Sequence, residues 1–520
     1  MAYTGTTHVV DCTGGGLTGV KISGENLPPS SMVYPTRNLV FEKGGRRKRG
    51  GTAHLYDAAF TGTPVILGVF DCTFQDLTQD VITATDDGDV YKNDTDKIAT
   101  SFGTTKPYSF TMGENKLFIA DGVNEPLVWT GTGSAAEISE PAADWATAPP
   151  FQMMVHGRGA SQRMCALNKN TLYLSKNYSS AADMEKFVTG AVSLYMDTGD
   201  GIGLTGMAEI GDEVIVFGKR KAYRLDDSST NTAEWGFAPA QWNGGAANWR
   251  LIVPLPSGDV VCMTDDGDVY SVSSAAEYGD YKAASLMGPS MMHEYVKQYV
   301  NLSYIANFHG VYYPPWRAII FFVTSAGQTT NDMALIYFTD RPPGEAWMVH
   351  NNADYASGYD ASASAVLHDF TNGSYKLYTG DYVGEVWKLD QADRNDNANG
   401  YYGGFTTFYD SFGNPRVNKH YNSIDLVIEP KGEFELVVNS YIDGAEIVGS
   451  VTMMAGGTDP LGTFMLDDDV LGGDKLQDAR LLLGYIGRRI QYEIYNSVAG
   501  EDFFITEYMT DFKPKGARQS

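Results

Sequence analysis

A seven-residue segment occurs twice in this chain, letter for letter, and it limits the folds that the chain can adopt. Residues 85–91 and residues 264–270 both read Thr-Asp-Asp-Gly-Asp-Val-Tyr. Each copy lies between two short apolar runs, and Asp-Asp-Gly-Asp is typical of a tight hairpin turn. The copies start 179 residues apart, or four times about 45, and a β-propeller blade takes roughly 40 to 50 residues. The spacing therefore predicts a β-propeller in which the two copies lie four blades apart.

Other short apolar runs lie near the intermediate positions that this spacing requires. They are at 116–120 with 126–129, 171–175 with a less regular partner, 213–217 with 222–225, 317–323 with 333–338, and 376–378 with 385–389. Short apolar runs separated by turn residues are typical of an all-β chain, and the only helices we expect are short, at 181–187 and 291–299. We expect an all-β fold with a β-propeller of six or seven blades over residues 64–395.

Charge and cysteine content narrow the functional class. The 64 acidic and 38 basic residues give a net charge of −26, so most of the surface should repel nucleic acid and anionic membranes. The four cysteines are far apart and without paired spacing, which predicts neither disulfides nor a zinc site and favours a reducing cytoplasm; they are Cys12, Cys72, Cys165 and Cys262. The first residues lack the pattern of a signal peptide, and no apolar run approaches the roughly 20 residues of a membrane span. We therefore expect no membrane insertion.

Residues 1–63 do not have the pattern of a propeller blade. Glycine and proline clusters interrupt this segment, and we expect it to be an extended N-terminal arm that lies along its own propeller or reaches a neighbouring subunit. It holds the sharpest basic run of the chain, Arg46, Arg47, Lys48 and Arg49. Two interpretations remain open: a solvated loop or pairing with acids of the same molecule, and a contact with DNA or an acidic partner. Under the second, replacing all four by alanine should leave the propeller folded and impair assembly or genome retention.

A stretch rich in Asp, Asn and Gly over residues 390–404 marks a domain boundary. Alternating apolar and polar residues follow at 406–409, 424–428, 434–438, 489–494 and 503–508. This alternation favours a C-terminal antiparallel β domain, similar to a sandwich, over residues 396–512. Residues 513–520 have a basic composition, and we expect a mobile tail there.

No motif of a reactive centre stands out. The acids of the repeated turns could serve as turn residues or as calcium ligands, although the second copy lacks the further ligands that a calcium loop needs. No pattern of paired histidines, nucleophilic serine or phosphate loop is present. Two roles are open for Trp235, Trp242 and Trp249. They could stack on sugars in a receptor-binding role, or they could be buried and hold their loops in place. The sequence thus predicts no catalytic residue, no cofactor and no metal site.

Several segments resemble the tail nozzle or hub β-propeller proteins of short-tailed bacteriophages, a family that includes packaged-DNA stabilisation proteins. The resembling pieces, spread over about residues 38–515, are Asn38-Leu39 before the basic run, 170–175 followed by Asp183 and Phe187, 201–204 leading to 214–217, and 378–387. The resemblance rests on the order of these pieces along the chain.

The resemblance implies a structural virion protein. In such a tail, a ring of usually six copies surrounds a channel that retains and ejects the genome, and double-stranded DNA passes through it without sequence recognition. The implied partners are other copies of the chain, a tail adaptor or connector above, and fibre, spike or plug proteins. The implied location is the virion tail, after synthesis in the bacterial host cytoplasm. The alternative is a host-receptor or carbohydrate-binding propeller, with glycosidase activity as a further option.

Overall fold

The computed structural model describes residues 6–18, 27–42, 44–240, 244–275, 280–351, 358–429, 434–453 and 477–515. Within these residues the chain is almost entirely β-structure, with one α-helix, α1 (Met292–Tyr299), whose Met292, Tyr295 and Val296 are buried. Short 3-10 helices lie at Gly159–Ser161, Ala181–Glu185, Thr232–Glu234, Trp249–Leu251, Leu302–Asn307, Pro314–Trp316 and Pro343–Glu345. The two short helices expected from the sequence are thus present, one α-helical and one 3-10. No helix in the described part is long and apolar enough to span a membrane.

The strands occur in three groups along the chain. The first group is β1 (Thr6–Asp11), β2 (Met32–Arg37), β3 (Leu39–Glu42), β4 (Gly45–Lys48) and β5 (Gly51–His54). The second group, β6 to β32, forms seven blades, and the third, β33 to β39, lies in the C-terminal domain.

Each blade is an antiparallel sheet of four strands. The first three blades are β6 (Ile66–Thr73), β7 (Gln79–Thr85), β8 (Val90–Lys92), β9 (Asp96–Ala99); β10 (Ser109–Gly113), β11 (Lys116–Ala120), β12 (Leu127–Trp129), β13 (Ala136–Glu137); and β14 (Gln152–His156), β15 (Arg163–Leu167), β16 (Thr171–Leu174), β17 (Val192–Tyr195). The fourth and fifth are β18 (Leu204–Ile210), β19 (Glu213–Gly218), β20 (Ala222–Asp226), β21 (Gly236–Pro239); and β22 (Ile252–Pro254), β23 (Val260–Met263), β24 (Val269–Ala275), β25 (Asp280–Ser285). The last two are β26 (His309–Tyr313), β27 (Ala318–Val323), β28 (Met333–Phe338), β29 (Trp347–Asn351); and β30 (Ala363–Asp369), β31 (Ser374–Gly380), β32 (Val386–Gln391) with β5.

The seven blades close into a propeller. The first strand of each blade contacts the first strand of the next, and β30 of the seventh blade contacts β6 of the first. Strand β5 pairs with β32 as the outermost strand of the seventh blade, so the N-terminal segment completes the last sheet. The sequence predicted six or seven blades, and the structure has seven.

The repeated turns lie four blades apart, as their spacing predicts. The first copy joins β7 to β8 in blade 1, and the second joins β23 to β24 in blade 5. Gly88 and Gly267 have φ angles of 88° and 82°, which side chains other than glycine rarely adopt. In both copies the threonine Oγ1 donates to the aspartate two residues later. Turn chemistry therefore accounts for the repeat.

The remaining strands form two sheets with one shared apolar core. They are β33 (Gly403–Thr407), β34 (Lys419–Glu429), β35 (Phe434–Ile442), β36 (Ala445–Met453), β37 (Gln477–Gly487), β38 (Ile490–Asn496) and β39 (Phe504–Pro514). Sheet A has the order β3-β4-β39-β34-β37, with β1 also paired to β39, and sheet B has the order β2-β33-β38-β35-β36. All five C-terminal runs noted in the sequence are parts of strands, and β36 and β37 were not expected.

The N-terminal segment is not an extended arm. Within its described residues, β1 and β4 pair with β39, β2 pairs with β33, and β5 completes blade 7. The sequence prediction was wrong because each strand has only four to six residues and a partner far away in the chain. Strand β39 also runs to Pro514, into the predicted mobile tail, and residues 516–520 lie outside the described residues.

The two-sheet domain is attached to the sixth blade by backbone hydrogen bonds. The Leu17 amide donates to the Trp347 carbonyl at 2.9 Å, and the Asn38 amide donates to the Val349 carbonyl at 2.8 Å. His350 Nε2 lies 2.7 Å from the Leu39 carbonyl. Because Trp347 to His350 belong to β29, the outer strand of blade 6, the N-terminal strands tie the two bodies together.

Candidate assembly surface

The basic run lies at the junction between the propeller and the two-sheet domain. Arg46, Lys48 and Arg49 are buried, and Arg47 is half-buried. Arg47 pairs with Glu42 at 2.8 Å and with Asp502 at 2.5 Å. The contact with DNA or an acidic partner stays a prediction, and the burial of three of the four side chains argues against it.

Arg49 is the most completely enclosed of the four. Its guanidinium donates to both carboxylate oxygens of Asp396, at 2.8 and 2.6 Å, and its Nε donates to Asn38 Oδ1 at 3.1 Å. The ring of Tyr401 lies 3.9 Å from the guanidinium carbon, and that of Tyr359 lies 4.4 Å away. A planar fork with five donors suits such a site, because it forms two parallel bonds to one carboxylate while stacking on aromatic rings.

Lys48 and Arg46 bind mainly neutral acceptors. Lys48 Nζ donates to Asn496 Oδ1 and to the Val498 carbonyl, both at 2.9 Å. Burial, with the nearby Arg49 charge, lowers the pKa of Lys48 to about 7. Arg46 donates to the carbonyls of Gly14 and Ser30. Pairing with acids of the same molecule, one of the possibilities left open by the sequence, therefore describes Arg47 and Arg49, whereas Arg46 and Lys48 bind neutral groups of the same molecule.

The acids of the repeated turns are directed to separate partners. In the first copy, Asp86 Oδ1 accepts from the Val65 amide at 2.9 Å, whereas Asp89 pairs with Lys97. In the second copy, Asp265 pairs with Lys219 at 3.3 Å. No group of three or more potential metal ligands occurs among the described residues.

The candidate sugar-stacking tryptophans are placed differently from one another. Trp235 donates from Nε1 to the Ser229 carbonyl at 2.7 Å, and the Arg163 guanidinium lies 5.1 Å from its ring centroid. Trp249 lines the central cavity of the propeller. Trp242 lies outside the described residues. Trp235 and Trp249 thus have different surroundings, and neither is seen to form a stacking platform with the other.

The four cysteines are free and buried. Burial raises the pKa of Cys12 to about 11 and that of Cys72 to about 12. They are therefore packing residues, in line with the absence of paired spacing in the sequence.

Sheet A ends in an edge strand on each of two opposite sides. Strand β1 and the β3–β4 pair lie on one side of β39, and β34 followed by β37 lies on the other; among the described strands β1 pairs only with β39 and β37 only with β34. An edge strand presents unpaired backbone N–H and C=O groups, which can pair with a strand of another chain. This sheet could therefore be extended from either side.

Strand β37 exposes large apolar side chains at its edge. Leu482 is 78% exposed, Tyr485 is 49% exposed and Ile486 is 48% exposed. In the same strand Leu483 is buried in the shared core. A bulge in the pairing of β37 with β34, between Tyr421 and Ser423 of β34, interrupts the regular alternation here. We name Leu482, Tyr485 and Ile486 the β37 patch.

An open cavity of about 800 Å³ lies at the end of the β37 patch. Ile486 lines it together with Arg488 and Arg489, both exposed, and Asp443. Asp443 accepts from the backbone amides of the two arginines, at 2.9 and 3.1 Å. Neither arginine side chain has an ion pair among the described residues. The patch therefore ends in two exposed cations on a chain whose net charge is −26.

Sequence reasoning missed this surface. Residues 481–486 read Leu-Leu-Leu-Gly-Tyr-Ile, and an apolar run of this kind resembles a buried strand. The interrupting Gly484 is the one signal that the alternation breaks, because an isolated glycine in a strand pattern suggests a bulge.

Comparisons with known proteins concern the propeller alone. The chain is similar in structure to the β-propeller domain of Cps50 (Swd1) from Myceliophteria thermophila, with 12% sequence identity and a TM-score of 0.43 over 65% of this chain and 99% of that one. It is also similar to the WD40 β-propeller domain of Doa1, with 10% identity and a TM-score of 0.39 over 66% of this chain and 97% of that one. No protein-family model and no curated protein sequence matches the chain. The propeller assignment rests on the strand pairing described above.

Proposed function

We propose that the protein is a structural virion protein, one subunit of an oligomeric ring that forms the nozzle or hub of a bacteriophage tail. The ring forms part of the DNA channel for genome retention and ejection. Its neighbours are a tail adaptor or connector above and fibre, spike or plug proteins. The observation that carries the proposal is sheet A, whose edge strands β1 and β37 have no second partner among the described strands, and the β37 patch on one of them.

Two different free edges favour a head-to-tail contact. If β37 of one copy lies against β1 of the next, every copy uses one donor edge and one acceptor edge, and such heterologous contacts close into a ring when the rotation allows it. Strand β1 exposes Val9 on its edge, and Asp11 beside it is exposed. An apolar residue and an acid on this edge complement the apolar patch and arginines of the other.

The charge of the chain suits a channel protein. Tight binding to DNA comes mainly from cations that neutralise phosphates. The strongest basic run of the sequence is inside the protein, and the net charge is −26. A wall made of such subunits would offer passing DNA few phosphate contacts, so the genome could slide through.

The order of the resembling segments also supports the proposal. The piece at 170–175 contains β16, the piece at 201–204 leads into β18 and β19, and the piece at 378–387 spans the turn between β31 and β32. These pieces thus lie at strand and turn positions in three different blades.

Mass measurement of the full chain tests the proposal. Native mass spectrometry over a range of concentrations should show an assembly close to six times the 56.7 kDa of one chain. Leu482→Asp with Ile486→Asp should reduce the assembly to monomers without changing the unfolding midpoint. The matched control is Val188→Asp with Tyr195→Asp, which alters two exposed apolar residues of the propeller and should leave the ring intact.

Mixing two variants distinguishes the head-to-tail contact from a symmetric one. Val9→Asp should also break the ring, because it alters the opposite edge. A mixture of Val9→Asp with the β37 double variant retains one intact pair of edges and should form dimers but no ring. If Val9→Asp leaves the assembly unchanged, the contact is not between β37 and β1. A 56.7 kDa particle at every concentration would contradict the ring itself.

A further inference from the structure

A half-open cavity of about 330 Å³ lies among the inner strands of the propeller. First strands of several blades line it, together with the 3-10 helix Trp249–Leu251 that precedes β22. Its apolar lining includes Phe70, Phe110 and Met153, contributed by β6, β10 and β14. Cavities of roughly 300 Å³ or more that combine apolar walls with a few polar groups are typical of small-molecule sites.

Among the described residues that line this cavity, Arg250 is the only ionised side chain. Its Nη1 donates to the Ser362 carbonyl at 2.8 Å, and its Nη2 donates to the carbonyls of Asn307 at 2.8 Å and Ala306 at 3.4 Å. These acceptors are all neutral. No carboxylate among the described residues pairs with this guanidinium, and no Asp or Glu lines the cavity, although the chain has 64 acidic residues.

Arg250 is half-buried, and even a half-buried cation without a counter-charge is unfavourable. Burial lowers the pKa of Arg250 to about 10, which shows the cost of holding the charge there. Carbonyl groups satisfy hydrogen bonds but do not neutralise the charge. A guanidinium has five N–H donors, so the three hydrogen bonds to carbonyls leave donors for a ligand. An anion in the cavity would remove the imbalance.

His309 adds no second positive charge to the cavity lining. It lines the cavity, is 2% exposed, and its Nδ1 lies 3.5 Å from the Asn307 carbonyl while its Nε2 has no hydrogen-bond partner among the described residues. Burial and the Arg250 charge hold the pKa of His309 well below its usual range, so the ring is neutral at pH 7. One positive charge therefore faces the cavity, and a singly charged ligand matches it best.

We propose that this cavity binds a small organic carboxylate. The carboxylate would accept hydrogen bonds from Arg250, and its apolar part would lie against Phe70, Phe110 and Met153. Strands from different blades would then contact one ligand, so binding would stabilise the closed ring of blades. The proposal is independent of the virion function, since it concerns the interior of one subunit.

Calorimetric titration of the full chain with benzoate tests the proposal. Benzoate should bind saturably at one site per chain, whereas benzamide, which has the same shape but no charge, should bind at least about tenfold more weakly. Inorganic phosphate, which has no apolar part, should also bind more weakly than benzoate. Equal affinity for benzoate and benzamide, or no saturable benzoate binding below about 10 mM, would overturn the proposal.

Two variants locate the site. Arg250→Met should weaken benzoate binding about tenfold to a hundredfold, since a charge-assisted hydrogen bond is lost. Ser364→Phe, which fills the cavity from a lining residue on β30, should weaken it by a similar factor and does not depend on the bonds of Arg250. The control is Arg158→Met, whose side chain is exposed. Unfolding midpoints check that each variant is folded, and unchanged affinity in Ser364→Phe and Arg250→Met would place benzoate elsewhere.

Discussion

The seven blades and the two-sheet domain are built from the same kind of strand but connected in opposite ways. Within a blade, strands that follow each other in the chain pair with each other, as β10 does with β11 through a two-residue turn, from Ser109↔Ala120 to Gly113↔Lys116. In sheet A, strand β1 pairs with β39, from Thr6↔Phe512 to Asp11↔Glu507, so the two ends of the chain meet. Local pairing closes small loops, whereas this pairing must wait until nearly the whole chain is in place.

The difference makes the N-terminal segment essential to both bodies. Strand β5 completes blade 7, whereas β1 to β4 belong to sheets A and B. The blades therefore cannot be separated from the two-sheet domain by removing either end of the chain. Four predictions test this relation, beginning with the one that removes the segment entirely.

Deletion of residues 1–63 should abolish cooperative folding. It leaves β32 without its outer neighbour and removes four strands from sheets A and B, which exposes their shared core. An extended arm could instead be removed with little effect on the propeller. Thermal unfolding followed by circular dichroism, with deletion of residues 1–5 as the control, distinguishes these outcomes. A cooperative transition that survives the larger deletion would contradict the structural role of these strands.

Arg49→Met should lower the free energy of unfolding by about 3 to 5 kcal/mol, because it leaves the Asp396 carboxylate buried without its partner. Both side chains are almost fully buried, at 0% and 3% exposed. The control is Arg158→Met, since Arg158 and Asp212 form an exposed pair that should contribute nothing measurable. Urea unfolding measures both variants. Equal stability of Arg49→Met and Arg158→Met would show that the junction does not depend on the buried pair of Arg49 with Asp396. A variant that still folds with alanine at all four positions of the basic run would show the same.

Lys48→Met should change how stability depends on pH. Burial and Arg49 lower the pKa of Lys48 to about 7 in the folded chain, against 10.5 for an unperturbed lysine. Between these values the unfolded chain binds a proton that the folded chain does not, so the free energy of unfolding should rise with pH, by up to about 1.4 kcal/mol per unit. Lys48→Met should remove this rise between pH 7 and 9 in urea unfolding.

The exposed Lys221 provides the control for that measurement. Lys221→Met should retain the pH slope of the unaltered chain. If Lys48→Met has the same slope as Lys221→Met, then Lys48 stays charged in the folded state, held by its bonds to Asn496 and Val498.

What the sequence could predict follows the same division between local and distant pairing. The repeated turn and its spacing led to the correct relation between blades 1 and 5, because a hairpin is encoded by adjacent residues. The partners of β1 and β4 could not be predicted, since nothing local specifies a strand near the other end of the chain. The burial of Arg49 could not be predicted for a related reason. Arginine is usually exposed, and only the fold brings Asp396 and Tyr401 around this side chain.

The smallest effects are expected within the blades, at glycines with positive φ. Gly88, Gly258 and Gly267 have φ angles of 88°, 86° and 82°, so alanine at each should cost about 1 to 2 kcal/mol from backbone conformation alone. Their surroundings differ: a Cβ at Gly258 would meet nothing within 4 Å, whereas one at Gly267 would lie 2.8 Å from Val296 Cγ1.

At Gly88 a Cβ would instead lie 2.9 Å from the Phe102 carbonyl oxygen. Because a backbone atom moves less easily than a side chain, the loss of unfolding free energy should increase from Gly258→Ala through Gly267→Ala to Gly88→Ala. Urea unfolding of the three variants tests this order. Equal losses would show that the two copies of the turn are set by backbone conformation only, and that the packing of blade 1 against its loop does not distinguish them.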